Sequence, residues 1–295
     1  MQSKLRGTGV AIVTPFFADH RINFNALGNI VDHIIKGKCE YIVVLGTTGE
    51  TVTLSNDERQ EVFSFVLNRA KKKIGLVAGV GGNNTNEVVS QLSNLNLEGY
   101  DAILSVSPYY NKPSQEGIYQ HFITLAASSP LPIILYNVPS RTMSNITAET
   151  TIRLANASEK IIGIKEASGN LIQMMQIVQN RPKGFLVISG DDPLTLPCIS
   201  FGMDGVISVV ANAFPKETSR MVRAALAGKF STAEKDHYKL LGVTELMFAE
   251  GNPCGVKEIL SQMNLCESHV RLPLTSVSDS LKEKIRVELE DMSKS

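Results

Sequence analysis

One lysine of this sequence lies inside an apolar run, in "IIGIKEAS" at residues 161–168. Lysine is rarely buried, because removing an ammonium group from water is costly unless the group is paired or loses its proton. Position alone favours a solvated charge at the end of a strand, with only the aliphatic stem covered. Burial would instead favour the neutral amine, which attacks carbonyl carbons. Lys165 is therefore a candidate nucleophile if other reactive residues accompany it.

Polar segments follow several other apolar runs. "GTTGE" (residues 46–50) places the hydroxyls of Thr47 and Thr48 beside backbone N–H groups in a glycine-flanked turn, which suits a small carboxylate or phosphate. An ordinary capped turn explains the same residues equally well. "GVGGNN" (residues 79–84) resembles a dinucleotide-binding loop but lacks the spacing of the third glycine, so it is a weak indication of such a cofactor.

Two further segments carry aromatic and basic side chains, "SPYYNKPS" and "YNVPSRT". They contain Tyr109, Tyr110, Tyr136 and Arg141. A tyrosine at a strand end can transfer a proton, and an arginine can hold a carboxylate with two hydrogen bonds. Aromatic packing and a surface ion pair explain each residue equally well when it is taken singly. Taken together, the four residues converge on one face of the protein.

Metal and hydrolase motifs are absent from the sequence. The four cysteines have no C-x-x-C spacing, the five histidines form no H-E-x-x-H pair, and G-x-S-x-G does not occur. We therefore expect reduced thiols and no protein-built metal site. His33 and His121 lie in helical patterns and are assigned surface or packing roles.

The elements that must position these residues form a regular alternation of short apolar runs and amphipathic stretches. The eight runs are "GVAIVT", "YIVVLG", "IGLVAG", "DAILSV", "PIILYN", "IIGIKE", "FLVISG" and "GVISVV". Eight strands, each followed by a helix, predict a (β/α)8 TIM barrel, a fold of about 250 residues. A doubly wound sheet is the competing fold, but it rarely alternates so evenly.

Only helical patterns follow residue 216, so additional C-terminal helices are expected after the barrel. The predicted organisation is a catalytic barrel over residues 1–228 and a C-terminal helical extension over residues 229–295. In such a barrel the carboxyl ends of the strands and the loops after them build the site. The polar segments fall at those ends, which predicts that they meet.

Composition restricts the partners. The 295 residues are 43% hydrophobic and 20% charged, with 29 basic and 29 acidic side chains and no net charge. These values favour a small-molecule ligand over nucleic acid or an anionic membrane. No apolar run approaches the roughly 20 residues of a membrane helix, and no signal peptide is predicted. We therefore expect a cytoplasmic protein.

Four motifs in this order resemble the dihydrodipicolinate synthase family of pyruvate-dependent class I aldolases: "GTTGE", "PYYNKPSQEG", "YNVPSRT" and "GIKEASG". The resemblance extends over nearly the whole chain. It implies that Lys165 forms a Schiff base with pyruvate, whose enamine condenses with aspartate semialdehyde. It also implies a lyase of the diaminopimelate route to lysine that needs no metal or organic cofactor.

The resemblance also assigns roles to site residues. Thr47 and Thr48 would bind the pyruvate carboxylate, and Thr47, Tyr136 and Tyr110 would form a proton relay. The residue matching Tyr110 crosses a subunit interface in the family, which implies at least a dimer and, in the usual assembly, a homotetramer built as a dimer of dimers. Gly190 and Ile207 would lie around the pyruvate.

Arg141 would bind the carboxylate of aspartate semialdehyde. N-acetylneuraminate lyases and 2-keto-3-deoxy sugar acid aldolases resemble the lysine and tyrosine motifs but generally do not carry "PSRT". A charged clamp suits a short anionic aldehyde better than a long polyhydroxylated one. Another aldolase of that kind is the alternative activity, and a catalytically silent binding barrel is a third interpretation. The intact set of Lys165, Tyr136 and Thr47 argues against the silent barrel.

Two features depart from the family pattern. Asn83, Glu87 and Tyr109 match positions that bind inhibitory lysine in sensitive relatives, but Asn56 and Arg59 stand where such relatives often have histidine. Allosteric inhibition by lysine is therefore expected to be weak or absent. "GNPCGVK" (residues 251–257) replaces a pattern that often reads "NPIPVK", and it is expected to touch no catalytic motif.

Overall fold

The computed structural model describes residues 2–294, which form a closed barrel of eight parallel strands with helices around it. Each strand pairs with the next one along the chain, and the last pairs with the first. The strands are β1 (Gly7–Ala11), β2 (Tyr41–Val44), β3 (Gly75–Gly79), β4 (Ala102–Val106), β5 (Ile133–Asn137), β6 (Ile161–Glu166), β7 (Leu186–Ser189) and β8 (Gly205–Ser208). The predicted (β/α)8 barrel is confirmed, and the doubly wound sheet is wrong because the sheet closes on itself.

Twelve α-helices lie among residues 2–294. They are α1 (Phe24–Lys36), α2 (Asn56–Ala70), α3 (Thr85–Asn94), α4 (Gln115–Ser128), α5 (Pro139–Thr142), α6 (Ala148–Ala157), α7 (Leu171–Asn180), α8 (Thr195–Ser200), α9 (Pro215–Leu226), α10 (Phe230–Phe248), α11 (Cys254–Gln262) and α12 (Asp279–Lys294). Short 3-10 turns occupy Gln2–Leu5, Thr47–Gly49, Thr51–Thr53 and Val210–Asn212. A capping box of Ser55 and Glu58 begins α2, where both reciprocal hydrogen bonds form.

Alternation along the strands divides the apolar residues between two layers. Ile134 and Tyr136 of β5 face the barrel interior, whereas Ile133 and Leu135 pack against the surrounding helices. The parallel register pairs Tyr136 with Lys165 of β6. Because paired residues of neighbouring strands point to the same face, the two side chains lie together on the inner wall.

The C-terminal helices pack onto the barrel. Residue 228, the predicted boundary, lies between α9 and α10. Leu240, Val243 and Met247 of α10 belong to the same hydrophobic cluster as the layer between sheet and helices. The division at residue 228 stays a prediction about which part is an independent unit.

Candidate active site

A cavity of about 400 Å³ opens at the carboxyl end of the barrel. Six residues singled out from the sequence line it, and they come from four different parts of the chain. They are Thr47, Thr48, Tyr136, Arg141, Lys165 and Gly190. The strand-end segments therefore meet, as the barrel geometry requires.

Lys165 reaches this cavity from the inner face of β6. Its Nζ lies 4.3 Å from the centre of the Tyr136 ring, and the residue is only 6% exposed. Among residues 2–294, no carboxylate lies within salt-bridge distance of this amine. An amine that is not held in an ion pair can attack the carbonyl carbon of a bound substrate.

Gly190 makes room for the lysine. It follows β7, the strand next to β6, and a Cβ atom at this position would lie 2.8 Å from Cε of Lys165 and 2.6 Å from Cβ of Ala167. Contacts that short do not occur between real side chains. Any larger residue at position 190 would therefore displace the stem of Lys165.

The "GTTGE" turn forms another wall of the cavity. Thr47 is exposed at the turn, whereas Thr48 is 2% exposed. The carbonyl of Gly49 accepts a hydrogen bond of 2.7 Å from the Thr14 hydroxyl. Oγ1 of Thr48 accepts a hydrogen bond of 3.0 Å from Nδ2 of Asn252, in the α10–α11 connection. The turn is thus fixed from the first strand and from the C-terminal helices.

Arg141 lies at the rim of the cavity, on the four-residue helix α5. Its side chain is exposed, and no carboxylate within the described residues forms an ion pair with it. A guanidinium without an acidic partner can receive a carboxylate in a bidentate geometry. Arg141 and Lys165 line the same cavity.

Sequence reasoning assigned no role to two acidic residues in "SGDD". Asp191 and Asp192 line the cavity, and burial raises the pKa of both carboxyl groups. Oδ2 of Asp192 accepts a hydrogen bond of 2.9 Å from the backbone N–H of Val209, which fixes the loop after β8. Their position directly after a predicted strand was the signal that could have identified them.

A buried polar network behind the site was also missed. Glu166 follows Lys165 on the outer face of β6, and its carboxylate accepts hydrogen bonds from Asn137, Gln173 and the backbone of Ser168. Burial raises the pKa of Glu166. The network joins β5 to β6 one residue beyond Tyr136 and Lys165, so it holds these two residues in register.

Two predicted site residues lie apart from the cavity lining. Tyr110 is 87% exposed, and its backbone has a φ of +74°, a left-handed conformation that is uncommon for a bulky residue. Ile207 is 1% exposed and packs in the barrel interior with Tyr136 and other apolar side chains. Within one copy of the chain, neither residue borders the space around Lys165.

A second cavity, of about 480 Å³, adjoins the first. It contains the three residues matched to an inhibitor site, Asn83, Glu87 and Tyr109, together with Arg59. Nδ2 of Asn83 donates a hydrogen bond of 3.2 Å to the carbonyl of Tyr109. Six residues line both cavities, which makes them a shared wall. These are Gly46, Thr47, Leu104, Tyr136, Val138 and Arg141.

Within residues 2–294, no cluster of three or more histidine, cysteine, aspartate or glutamate side chains is arranged to hold a metal ion. The four cysteines are unpaired. No helix of the described chain combines the length and the apolar character needed to cross a membrane.

Fold and site together define a (β/α)8-barrel lyase with a buried lysine in the wall of its cavity. The family model described as the dihydrodipicolinate synthetase family matches residues 4–292. This chain belongs to that family. The match extends over both the barrel and the C-terminal helices, so the similarity includes the Asn252 connection as well as the strand-end motifs.

Curated and solved relatives agree with this assignment. The 4-hydroxy-tetrahydrodipicolinate synthase of Parabacteroides distasonis is 50% identical over 98% of this chain and 97% of its own. Dihydrodipicolinate synthase of Acinetobacter baumannii, solved in complex with pyruvate, is 38% identical with a TM-score of 0.94 over 98% of this chain and 99% of that one. The enzyme of Cyanidioschyzon merolae, solved with lysine bound, is 35% identical with a TM-score of 0.94 over the same shares.

Proposed function

We propose that this protein condenses pyruvate with aspartate semialdehyde through a Schiff base on Lys165, the 4-hydroxy-tetrahydrodipicolinate synthase reaction of lysine biosynthesis through diaminopimelate. The observation that carries the proposal is the buried amine of Lys165, which lies beside Tyr136 and has no acidic partner in the described chain. The relative solved with pyruvate supports the first substrate.

The reaction begins with the neutral amine. Nζ of Lys165 adds to the keto carbon of pyruvate, and loss of water gives the protonated Schiff base. Thr47 and Thr48 hold the carboxylate of pyruvate with hydroxyl and backbone donors of the "GTTGE" turn. Gly190 keeps the opposite side open for the bound substrate.

Carbon–carbon bond formation follows. The protonated Schiff base withdraws electrons from the adjacent methyl group, and loss of one methyl proton gives the enamine. The enamine carbon attacks the aldehyde carbon of the second substrate, whose oxygen takes up a proton. Tyr136 and Thr47 border the reacting atoms and relay these protons, and Tyr110 connects the relay with solvent.

Ring closure releases the enzyme. The amino group of the former semialdehyde adds to the Schiff-base carbon, and the bond from that carbon to Nζ of Lys165 breaks. Lys165 takes back a proton and leaves as the free amine, and the product is a six-membered nitrogen heterocycle. Lys165 is thus regenerated in each turnover.

Arg141 selects the second substrate. Its unpaired guanidinium at the cavity rim binds the carboxylate of aspartate semialdehyde, while Lys165 holds the pyruvate part. A sugar acid would place hydroxyl groups where Arg141 requires a carboxylate. The geometry therefore favours aspartate semialdehyde over the substrates of the sugar acid aldolases.

Tyr110 acts from a neighbouring subunit. An exposed tyrosine with a left-handed backbone, away from the cavity of its own chain, is best explained by a partner that covers it. We propose a homotetramer built as a dimer of dimers, in which Tyr110 completes the relay across one interface. Ile207 supports the wall beneath the pyruvate from the barrel interior.

The second cavity is the proposed allosteric site. Asn83, Glu87 and Tyr109 supply polar atoms for an amino acid, as the relative solved with lysine bound supports. Arg59 also lines this cavity, and its positive charge disfavours the cationic side chain of lysine. Inhibition by lysine is therefore proposed to be weak or absent. We further propose a cytoplasmic location, and a catalytic unit that ends at residue 228.

Borohydride reduction in the presence of pyruvate tests the mechanism. Reduction traps a Schiff base as a stable secondary amine, and peptide mass mapping then identifies the modified residue. We expect the pyruvate-derived mass on the peptide that contains Lys165, and no adduct when Lys165 is replaced by methionine. Absence of an adduct on Lys165 in the natural chain would overturn the Schiff-base mechanism.

Replacement of Arg141 tests the second substrate. Arg141→Ala is expected to raise the KM for aspartate semialdehyde about a hundredfold, the cost of a charged hydrogen-bonded pair, while adduct formation with pyruvate stays within about twofold. Equal losses in both steps would remove Arg141 as the clamp. Cleavage of N-acetylneuraminate or of a 2-keto-3-deoxy sugar acid, faster than condensation, would establish the alternative activity.

A further inference from the structure

Asn252 is a buried polar residue to which the sequence motifs give no role. It lies in the connection between α10 and α11, is 8% exposed, and lines the cavity that holds Lys165. Its Nδ2 donates a hydrogen bond of 3.0 Å to Oγ1 of Thr48. Among residues 2–294, its Oδ1 has no hydrogen-bond partner. The side chain therefore directs its polar contact at a residue of the "GTTGE" turn.

That contact fixes what the Thr48 hydroxyl can do. A hydroxyl group has one hydrogen to donate and two lone pairs that accept. Because Asn252 uses a lone pair of Oγ1, the hydrogen of Thr48 remains available to an acceptor in the cavity. A substrate carboxylate is such an acceptor, and a donor oriented in advance binds it without a further ordering cost.

A second contact between the same two segments holds Asn252 in place. Lys257, in α11, forms a buried ion pair with Glu50 at the end of the "GTTGE" turn. Glu50 has a left-handed backbone with a φ of +52°, and it also accepts a hydrogen bond from the backbone N–H of Arg271. The start of α11 is thus joined to the turn at two points, and Asn252 cannot move away from Thr48 independently.

We propose that Asn252 is a positioning residue for the keto acid: it orients the Thr48 hydroxyl as a donor to the pyruvate carboxylate. This inference rests on the proposed function, because it assumes that pyruvate is the ligand of the turn. It gives the C-terminal helices a part in substrate binding, although the Schiff-base lysine and its neighbours belong to the barrel.

Asn252→Asp is the most direct test, because it preserves size and removes the donor. The introduced carboxylate can only accept, so it draws the Thr48 hydrogen away from the substrate. We expect the pyruvate concentration for half-maximal adduct formation to rise about tenfold or more, the cost of one hydrogen bond to a charged group. The kcat at saturating pyruvate and the KM for aspartate semialdehyde should stay within about twofold, as expected for lost ground-state binding.

A double-mutant cycle with Thr48→Val separates positioning from general structural damage. The cycle uses Asn252→Ala, because an aspartate in the cavity lining would also repel the pyruvate carboxylate directly. If Asn252 acts through Thr48, Asn252→Ala has no further effect on pyruvate binding once the hydroxyl is gone. Additive effects in the cycle would overturn the proposal.

Asn264→Asp is the matched control, since it makes the same chemical change at an exposed position just after α11. It should leave pyruvate binding unchanged. If the natural chain forms no adduct on Lys165, the proposed function fails. If it forms one, and the Asn252 variants have the natural half-saturation, only the role of Asn252 is disproved.

Discussion

Lys165 and Lys257 are the two buried lysines among residues 4–294, and their surroundings differ. Lys257 is completely buried, donates hydrogen bonds to the Glu50 carboxylate and to the carbonyl of His269, and lies 4.1 Å from the centre of the Phe16 ring. Lys165 has an aromatic ring beside it but no carboxylate in the described chain. Lys257 has a counter-charge and hydrogen-bond acceptors, whereas the described chain gives Lys165 neither.

The difference separates structural burial from reactive burial. Burial lowers the pKa of Lys257, and the Glu50 carboxylate opposes that shift by stabilising the charged amine. A paired ammonium has no free electron pair, so Lys257 joins two segments and cannot attack a carbonyl. Lys165 gains no such partner, and its surroundings open into a cavity. Burial of a lysine indicates chemistry only when no carboxylate of the protein forms an ion pair with it.

The largest effect is expected from Lys165→Met. Because the nucleophile is removed, turnover should fall by at least about a thousandfold. The free energy of unfolding should remain unchanged or rise, because an unpaired buried amine is replaced by an apolar side chain of similar size. Steady-state turnover and urea unfolding measure the two quantities. A marked loss of stability would contradict the comparison by giving Lys165 a structural role.

Lys257→Met should have the opposite result. It leaves the Glu50 carboxylate buried without its partner, which is expected to cost about 3–5 kcal/mol of unfolding free energy. The pyruvate adduct on Lys165 should still form in the folded fraction, at a raised half-saturating concentration. Lys183→Met, at an exposed lysine, is the control for both substitutions and should change neither stability nor turnover. Natural stability in Lys257→Met would show that the ion pair is not structural.

Combining Lys257→Met with Glu50→Gln should restore part of the lost stability. The second substitution removes the unpaired buried charge and keeps an oxygen that can accept from the backbone N–H of Arg271. We expect the double variant to be about 2 kcal/mol more stable than Lys257→Met alone. Urea unfolding of the two single variants and the double variant measures this coupling. Additive losses would mean that the two charges do not stabilise each other.

The smallest effect concerns His121, which is buried like the two lysines. As for Lys165, no acidic partner lies beside it in residues 2–294. Its Nδ1 lies 2.9 Å from the Thr85 hydroxyl, and burial lowers its pKa from 6.5 to about 4. A depressed folded-state pKa means that the unfolded chain binds the proton more readily. The stability that neutral His121 contributes is therefore fully present above its unfolded-state pKa. It is lost as the pH falls from about 6.5 towards 4.

The contribution of His121 should be about 2 kcal/mol between roughly pH 7 and pH 5. Urea unfolding of the natural chain and of His121→Gln at both values measures it. The natural chain should lose more stability than the variant on acidification. Equal losses would show that His121 takes up its proton without unfolding, and burial alone would then not predict the behaviour of an unpaired base.

Much of the barrel could be predicted from local pattern. Eight apolar runs in regular alternation indicate eight parallel strands. Side chains alternate between the two faces along a strand, which places Tyr136 and Lys165 on one face once the strands are paired. Ser55 and Glu58 form a capping box because Glu58 lies three positions after Ser55. Such features depend on neighbours within a few residues, so a single sequence contains enough information to predict them.

The expectation that residues 251–257 touch no site motif is wrong. Asn252 contacts Thr48, and Lys257 contacts Glu50, so the segment supports the "GTTGE" turn directly. More than 200 residues separate each pair along the chain. No local periodicity links positions so far apart, and both residues would also suit an ordinary helix start.

The sequence by itself determined the strands, the order of the reactive residues and the face on which each one lies, because these follow from spacing along one chain. Only the tertiary structure decided which buried lysine forms an ion pair and which faces a cavity. That distinction depends on whether a carboxylate from elsewhere in the chain reaches the amine, as Glu50 reaches Lys257. The attraction between an amine and a carboxylate depends on the distance between them in space, and the closed barrel sets that distance.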